Sequence, residues 1–179
     1  MPHNRASLAL GFGFFLLAAS VLTAQTIQVT PLTRDDRVLV SFKLTNVFTD
    51  EVREAIHSGV TITFAYDVQL RRGATLWLDR TIESSNVTAT VKYDPVTRKY
   101  LVTRKAGGSM DFAETVDRED VVRAWLTEFE KLALFSSRSL EPNAEYYVRV
   151  RAHTSPRNTA FVWPWGGDIA GLAKFTFIK

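Results

Sequence analysis

The sequence predicts a mainly β fold, a sandwich of antiparallel strands with two inserted helices. Residues 37–46 and 60–71 place apolar side chains at every second position, Val38 to Leu44 and Ile62 to Leu70, with mostly polar residues between them, the period of strands with one face in a core and the other in water. Two other segments, one after Thr49 and one after Asp117, space their apolar residues as helices do. Cysteine is absent, so no disulfide can staple the fold and its stability rests on a buried core.

Residues 1–24 read as a secretory leader: Arg5 precedes an apolar run from Leu8 to Ala19, and small residues follow. Cleavage is expected after Ala24, with Ala18-Ala19-Ser20 offering a second small-x-small site. Retention as an anchor is the alternative, because Leu8 to Ala24 approaches the roughly 17 apolar residues that span a bilayer. Gly11, Gly13, Ser20 and Thr23 weigh against that alternative. Lipoprotein attachment is excluded, since it needs a cysteine directly after the cut. An exported chain follows, with residues 25–179 as one domain.

Twenty-two basic residues face 19 acidic ones, a net charge of +3. That near balance disfavours nucleic acid as a partner, as does export. The pairs Arg71-Arg72, Arg98-Lys99 and Arg104-Lys105 read as solvated strand ends and turns.

Residues 25–32 and 37–46 form the first strands, the second placing Val38, Val40, Phe42 and Leu44 on one face. A short helix follows, with Thr49 as N-cap, Asp50 and Glu51 in the first turn, Gly59 past its end, and Val52, Ala55 and Ile56 as its apolar stripe. Residues 60–71 form a central strand through Ile62, Phe64, Tyr66, Val68 and Leu70. Residues 76–93 and 98–105 pair around Asp94-Pro95, where proline presets the turn and aspartate bonds the backbone beyond it. Gly107-Gly108 ends that sheet segment. The second helix is expected over 117–133, with Asp117 and Asp120 at capping-box spacing and Val122, Trp125, Phe129 and Leu132 on one side. Pro142-Asn143 then turns the chain into a strand over 145–154. A loop over 156–171 and a last strand over 172–178 complete the expectation.

The segment Leu140-Glu141-Pro142-Asn143-Ala144-Glu145-Tyr146-Tyr147-Val148-Arg149-Val150-Arg151-Ala152 resembles the L-x-P-G-x-x-Y-x-V-x-V-x-A stretch of fibronectin type III domains. The resemblance implies an immunoglobulin-like sandwich in which Leu140, Pro142 and Tyr146 build a structural corner and the tyrosine hydroxyl bonds back to the chain. Asn143 stands where that family has glycine. The expected helix before the corner departs from the family, which has a strand there, and Phe42 or Phe64 substitutes for its core tryptophan.

Across residues 25–179 the chain is similar to a family of exported bacterial proteins known only as a domain of unknown function. The carrying segments are Val40-Ser41-Phe42-Lys43-Leu44-Thr45-Asn46-Val47-Phe48-Thr49-Asp50-Glu51 through Ile56-His57-Ser58-Gly59, then Trp77-Leu78-Asp79-Arg80 and Val91-Lys92-Tyr93-Asp94. This similarity implies a periplasmic location and no assigned reaction. Some relatives are encoded beside a membrane sensor kinase of the nitrogen-regulation type, which implies a role in envelope sensing.

No catalytic signature stands out, and the expectation is a non-enzyme. His3, His57 and His153 have no partner at metal-ligand spacing, so neither a metal nor another cofactor is expected. There is no G-x-S-x-G elbow around Gly108-Ser109, and neither Gly107-Gly108 nor Gly166-Gly167 leads into a phosphate loop. Asp67, Asp79, Glu83 and Asp111 supply carboxylates without a spacing that selects a catalytic pair. The sequon Asn86-Val87-Thr88 falls inside an expected strand.

The loop Phe161-Val162-Trp163-Pro164-Trp165-Gly166-Gly167-Asp168 is the candidate binding site, with Phe161, Trp163, Pro164 and Trp165 as its contact residues. Two readings stand side by side: the aromatic rings cap the open end of the sandwich, or they form a hot spot for a protein, a glycan or a membrane surface. Tyr147, Arg149, Arg151 and His153 share the outward face of one strand, where Asp67 or Gln69 is available to pair with them. The expected function is a periplasmic binding or adaptor domain with an envelope protein as partner, a membrane sensor kinase among the candidates. Carbohydrate or peptidoglycan binding is the alternative.

Overall fold

The computed structural model describes residues 25–73, 80–107, 111–155 and 169–178. Among the described residues, nine strands and two helices follow the order β1 (Thr26–Arg34), β2 (Arg37–Thr45), α1 (Asp50–His57), β3 (Ile62–Arg72), β4 (Arg80–Asp94), β5 (Lys99–Ala106), β6 (Asp111–Val116), α2 (Glu119–Thr127), β7 (Glu128–Ser136), β8 (Glu145–Ser155) and β9 (Ile169–Thr176). They make two antiparallel sheets, β1-β2-β7 and β6-β5-β4-β3-β8-β9, a β-sandwich with two inserted helices as expected. Neighbours β1-β2-β7 and β3-β8-β9 reproduce the A-B-E and C-F-G groupings of an immunoglobulin-like sandwich.

The alternation read in β2, β3 and β8 builds the core directly. Val38, Val40, Phe42 and Leu44 face Phe64, Tyr66, Val68, Leu70, Val148 and Val150, all buried. At the centre Phe42 stacks on Phe129 with centroids 4.4 Å apart, and Tyr66 meets Phe129 edge-on at 4.9 Å.

Three strands cannot cover six. The inner faces of β4 and β5 extend past the smaller sheet, and the helices cover them: α1 packs on β4, while α2 packs on β4 and β5. Val52, Ala55 and Ile56 of α1 and Val122 and Leu126 of α2 are buried in the same core cluster as Val91 of β4 and Val102 of β5. Arg53 joins the two helices by hydrogen bonds to Asp50 and Glu119.

Several expectations need correction. The second helix ends at Thr127 rather than Ala133, and residues 128–136 form the strand that the fibronectin resemblance called for before its corner. Glu128, Glu130, Lys131, Leu132 and Ala133 have good helix propensity, but pairing with β2 in the register Phe42↔Phe129 and Val40↔Leu132 overrides it. A bulge at Lys131, φ 49°, accommodates the register change. The helix starts at Glu119 with Arg118 as N-cap and no side-chain cap, so Asp117 does not form the expected capping box; Asp120 bonds Arg118 instead. Thr49 is the N-cap of α1, but it too makes no side-chain cap bond. A further strand, β6, follows Gly107 where a turn alone was expected. The last strand begins at Ile169, three residues early.

Candidate functional site

The connection between β8 and β9 leaves the sheet after Ser155 and returns at Ile169. Phe161, Trp163, Pro164 and Trp165 therefore lie outside the described residues, as do Trp77, Asp79, Ser109 and the leader with His3. What surrounds the ends of that connection is described. Ala152 of β8 pairs Ile169, and Thr63 at the start of β3 pairs Ser155. The helix α1 enters β3 at this same end, and the β4–β5 turn closes there, since Ile62 pairs Val91. Three connections thus gather at one end of the sandwich.

A polar aromatic cluster joins two of them. His57, in the last turn of α1, has Nε2 2.8 Å from the Tyr100 hydroxyl, and its ring lies 5.1 Å from that of Tyr93. Tyr93 and Tyr100 flank the turn, with centroids 4.9 Å apart. Burial, with the nearby Glu119 carboxylate, pushes the Tyr100 phenol above its ordinary pKa. Within the turn, Asp94 accepts bonds from Thr97 Oγ1 at 2.8 Å and Val96 N–H at 2.9 Å, which hold its carboxyl below the usual range.

The corner residues lie at the opposite end. Tyr146 is buried, and its hydroxyl accepts a hydrogen bond from the Glu141 N–H at 2.8 Å. Leu140 is buried and Pro142 exposed. Asn143 adopts φ 61° and its N–H donates to Phe177 O at 2.8 Å, so a residue tolerant of the left-handed region occupies the turn. Glu141 forms a two-pronged pair with Arg72, tying this turn to β3.

On the outer face of β8, Tyr147, Arg149, Arg151 and His153 are half-buried and regularly spaced. Their cross-strand neighbours on β3 are Arg71, Gln69, Asp67 and Ala65. His153 Nδ1 lies 3.9 Å from Asp67, a long ion-pair distance, and Arg71 lies 5.9 Å from the Tyr147 ring centroid. Asn86 is exposed on β4, and Glu83 lies on the same strand. Among the described residues no three histidine, cysteine, aspartate or glutamate side chains gather as a metal site.

A family model described as Domain of unknown function (DUF4390) matches residues 21–158. The chain belongs to that family. No curated protein and no solved structure matches it. The DUF4390 match begins before β1 and runs through β8, so both sheets and both helices contribute to the matched region.

One organising residue of this DUF4390 chain lies where a solvated cation was expected. Arg104 shares the inward parity of Tyr100 and Val102 on β5, and it reaches the C-terminal end of α2. Its Nε donates to Trp125 O at 2.8 Å, and its Nη2 donates to Glu128 O at 2.7 Å and Ala124 O at 3.1 Å. Burial pulls the guanidinium down to about 10, opposed by Tyr66 and Glu128. Tyr66 completes the cap by donating to Leu126 O, and its own burial raises its phenol pKa. The pairing of Arg104 with Lys105 concealed this role; strand parity was the available signal.

A cleft of about 300 Å³ opens beside this cap, lined by residues 43–48 together with Arg123, Thr127 and Glu128. The Lys43–Glu128 ion pair, 2.8 Å, stands at its rim. It is shallow and polar, without a convergent nucleophile and base.

Proposed function

We propose that this chain is an exported, non-enzymatic binding or adaptor domain of the bacterial envelope, engaging a protein partner through Phe161, Trp163, Pro164 and Trp165. The observation that supports this reading is the gathering of the α1 connection, the β4–β5 turn and the two strand ends that flank residues 156–168 at one end of the sandwich. Immunoglobulin-like sandwiches use loops grouped in this way for recognition. The leader supports a periplasmic location, and the VSFxLTNxFTxEVxxAIxSG segment supports the exported branch of the family as its home. A membrane sensor kinase fits as the partner. Tyr146 acts as a fibronectin-type corner in this reading, holding the far end of β8 while the near end carries the binding loop.

Photo-crosslinking in the periplasm tests it, with the reactive group at Trp165 and a control at Asn143, just before the start of β8, a strand of 11 residues and about 36 Å at 3.3 Å per residue. A discrete adduct from position 165 alone, lost on Trp163→Ala, supports the adaptor. Quenching or enhancement of tryptophan fluorescence by soluble cell-wall fragments, without a protein adduct, reassigns the loop to carbohydrate stacking. Turnover of a glycan or peptide would overturn the non-enzymatic reading.

A further inference from the structure

We propose that the outer face of the six-stranded sheet, centred on Arg149 and Arg151, docks on an anionic lipid surface. The proposal does not depend on the aromatic loop. Arg149 and Arg151 occupy successive outward positions of β8, about 7 Å apart at the rise of an antiparallel strand. Neither makes an ion pair or hydrogen bond among the described residues. Arg149 is flanked across the sheet by Gln69 and Leu172, neither able to neutralise it. Arg151 has Asp67 and Ala170 beside it, and the Asp67 carboxylate lies toward His153. Arg71 extends the positive stripe beside Tyr147, with which it is in register, whereas Lys174 on the other side is paired with Glu145 at 2.7 Å and adds no net charge.

The chemistry of the neighbours favours a lipid surface over an acidic protein. Leu172 is 62% exposed, directly beside Arg149, and Tyr147 presents an amphipathic ring on the same face. An apolar side chain among cations gains by entering the boundary between headgroups and acyl chains, where arginines reach phosphates without losing water entirely. The face is a regular antiparallel sheet, so its contacts lie near one surface and suit an extended plane of charge.

The test is co-sedimentation of the full chain with phosphatidylcholine vesicles and with vesicles that also contain phosphatidylglycerol. Any apolar contribution from residues 1–24 is common to both. Preferential binding to the anionic vesicles is expected, weakening with added salt. Arg149→Gln with Arg151→Gln should lower the partition about thirtyfold, since each cation near such a surface contributes roughly a factor of five. Arg37→Gln, on the other sheet, should leave it unchanged, and thermal melts establish that both variants fold. Equal binding to the two vesicle types, binding by the double variant at the original level, or no binding to either overturns the proposal. Salt-sensitive capture by polyglutamate without vesicle binding also overturns it and assigns the face to an acidic protein.

Discussion

The Cζ of Arg104 lies 4.5 Å from the centroid of the Trp125 ring and 4.3 Å from that of Phe129, while its nitrogens serve the last carbonyls of α2. A single side chain from β5 therefore caps the helix, fills the gap between two rings and joins the larger sheet to the start of β7. The helix ends inside the protein, where water cannot satisfy its carbonyls, and a guanidinium supplies several donors in one plane.

Arg104→Met keeps much of the volume but leaves those carbonyls without donors, and should cost about 2–4 kcal/mol in urea unfolding followed by tryptophan fluorescence. Arg104→Lys should recover only part of the loss, because a point charge cannot bond all the carbonyls while lying flat against the rings. Equal stability of Arg104→Met and the parent would remove the helix-capping role.

Replacing Tyr146 by phenylalanine deletes the acceptor of the Glu141 N–H in a partly buried setting. The expected loss is about 1–3 kcal/mol. Calorimetry reads it, and Tyr147→Phe is the control.

Gly171 of β9 lies close against Ile27 of β1. A Cβ there would meet Ile27 O at 2.5 Å and Ile27 Cβ at 2.8 Å, and both belong to a neighbouring strand rather than to a flexible side-chain tip. Gly171→Ala should therefore destabilise the fold by about 1–3 kcal/mol through overpacking. A compensating Ile27→Val should return little, since the backbone oxygen remains in the way.

The Arg72 guanidinium bonded to Glu141 holds that carboxyl below its ordinary value of 4.5. Folding then favours the ionised acid, so the pair stabilises the protein above the unfolded pKa and loses that effect as pH falls through the folded one. Thermal melts of the parent and Glu141→Gln should differ at neutral pH and converge once the pH has fallen below the lowered pKa of Glu141 in the folded state. The difference should be small, because both side chains are largely exposed.

Strands whose two faces see different solvents were readable from sequence. Ile62 to Leu70 and Tyr146 to Ala152 each announce a buried face by strict alternation, and each is a neighbour of the other at the centre of the larger sheet. The region between Glu119 and Ser136 was not readable in the same way. Trp125, Phe129 and Leu132 recur at helical intervals, but the first lies on α2 and the others on β7; only the unfilled edge beside β2 selects the extended form. Edge strand β6 was missed because Phe112, Ala113 and Val116 bury little surface and leave a weak pattern. At the candidate site, the outward set on β8 followed from parity, whereas the contact of His57 with Tyr100 joins residues that nothing local relates.

The pairings of β2 with β7, β3 with β8 and β1 against β9 join stretches separated by much of the chain. Assembly is consequently governed by contacts of long sequence range, which places the domain among slowly folding topologies. Strand β8, near the C-terminal end, sits between β3 and β9, so a nascent chain stopped after β7 lacks an interior strand of the larger sheet and leaves Tyr66, Val68 and Leu70 without their facing neighbours. Native structure is then withheld until β8 and β9 have been synthesised.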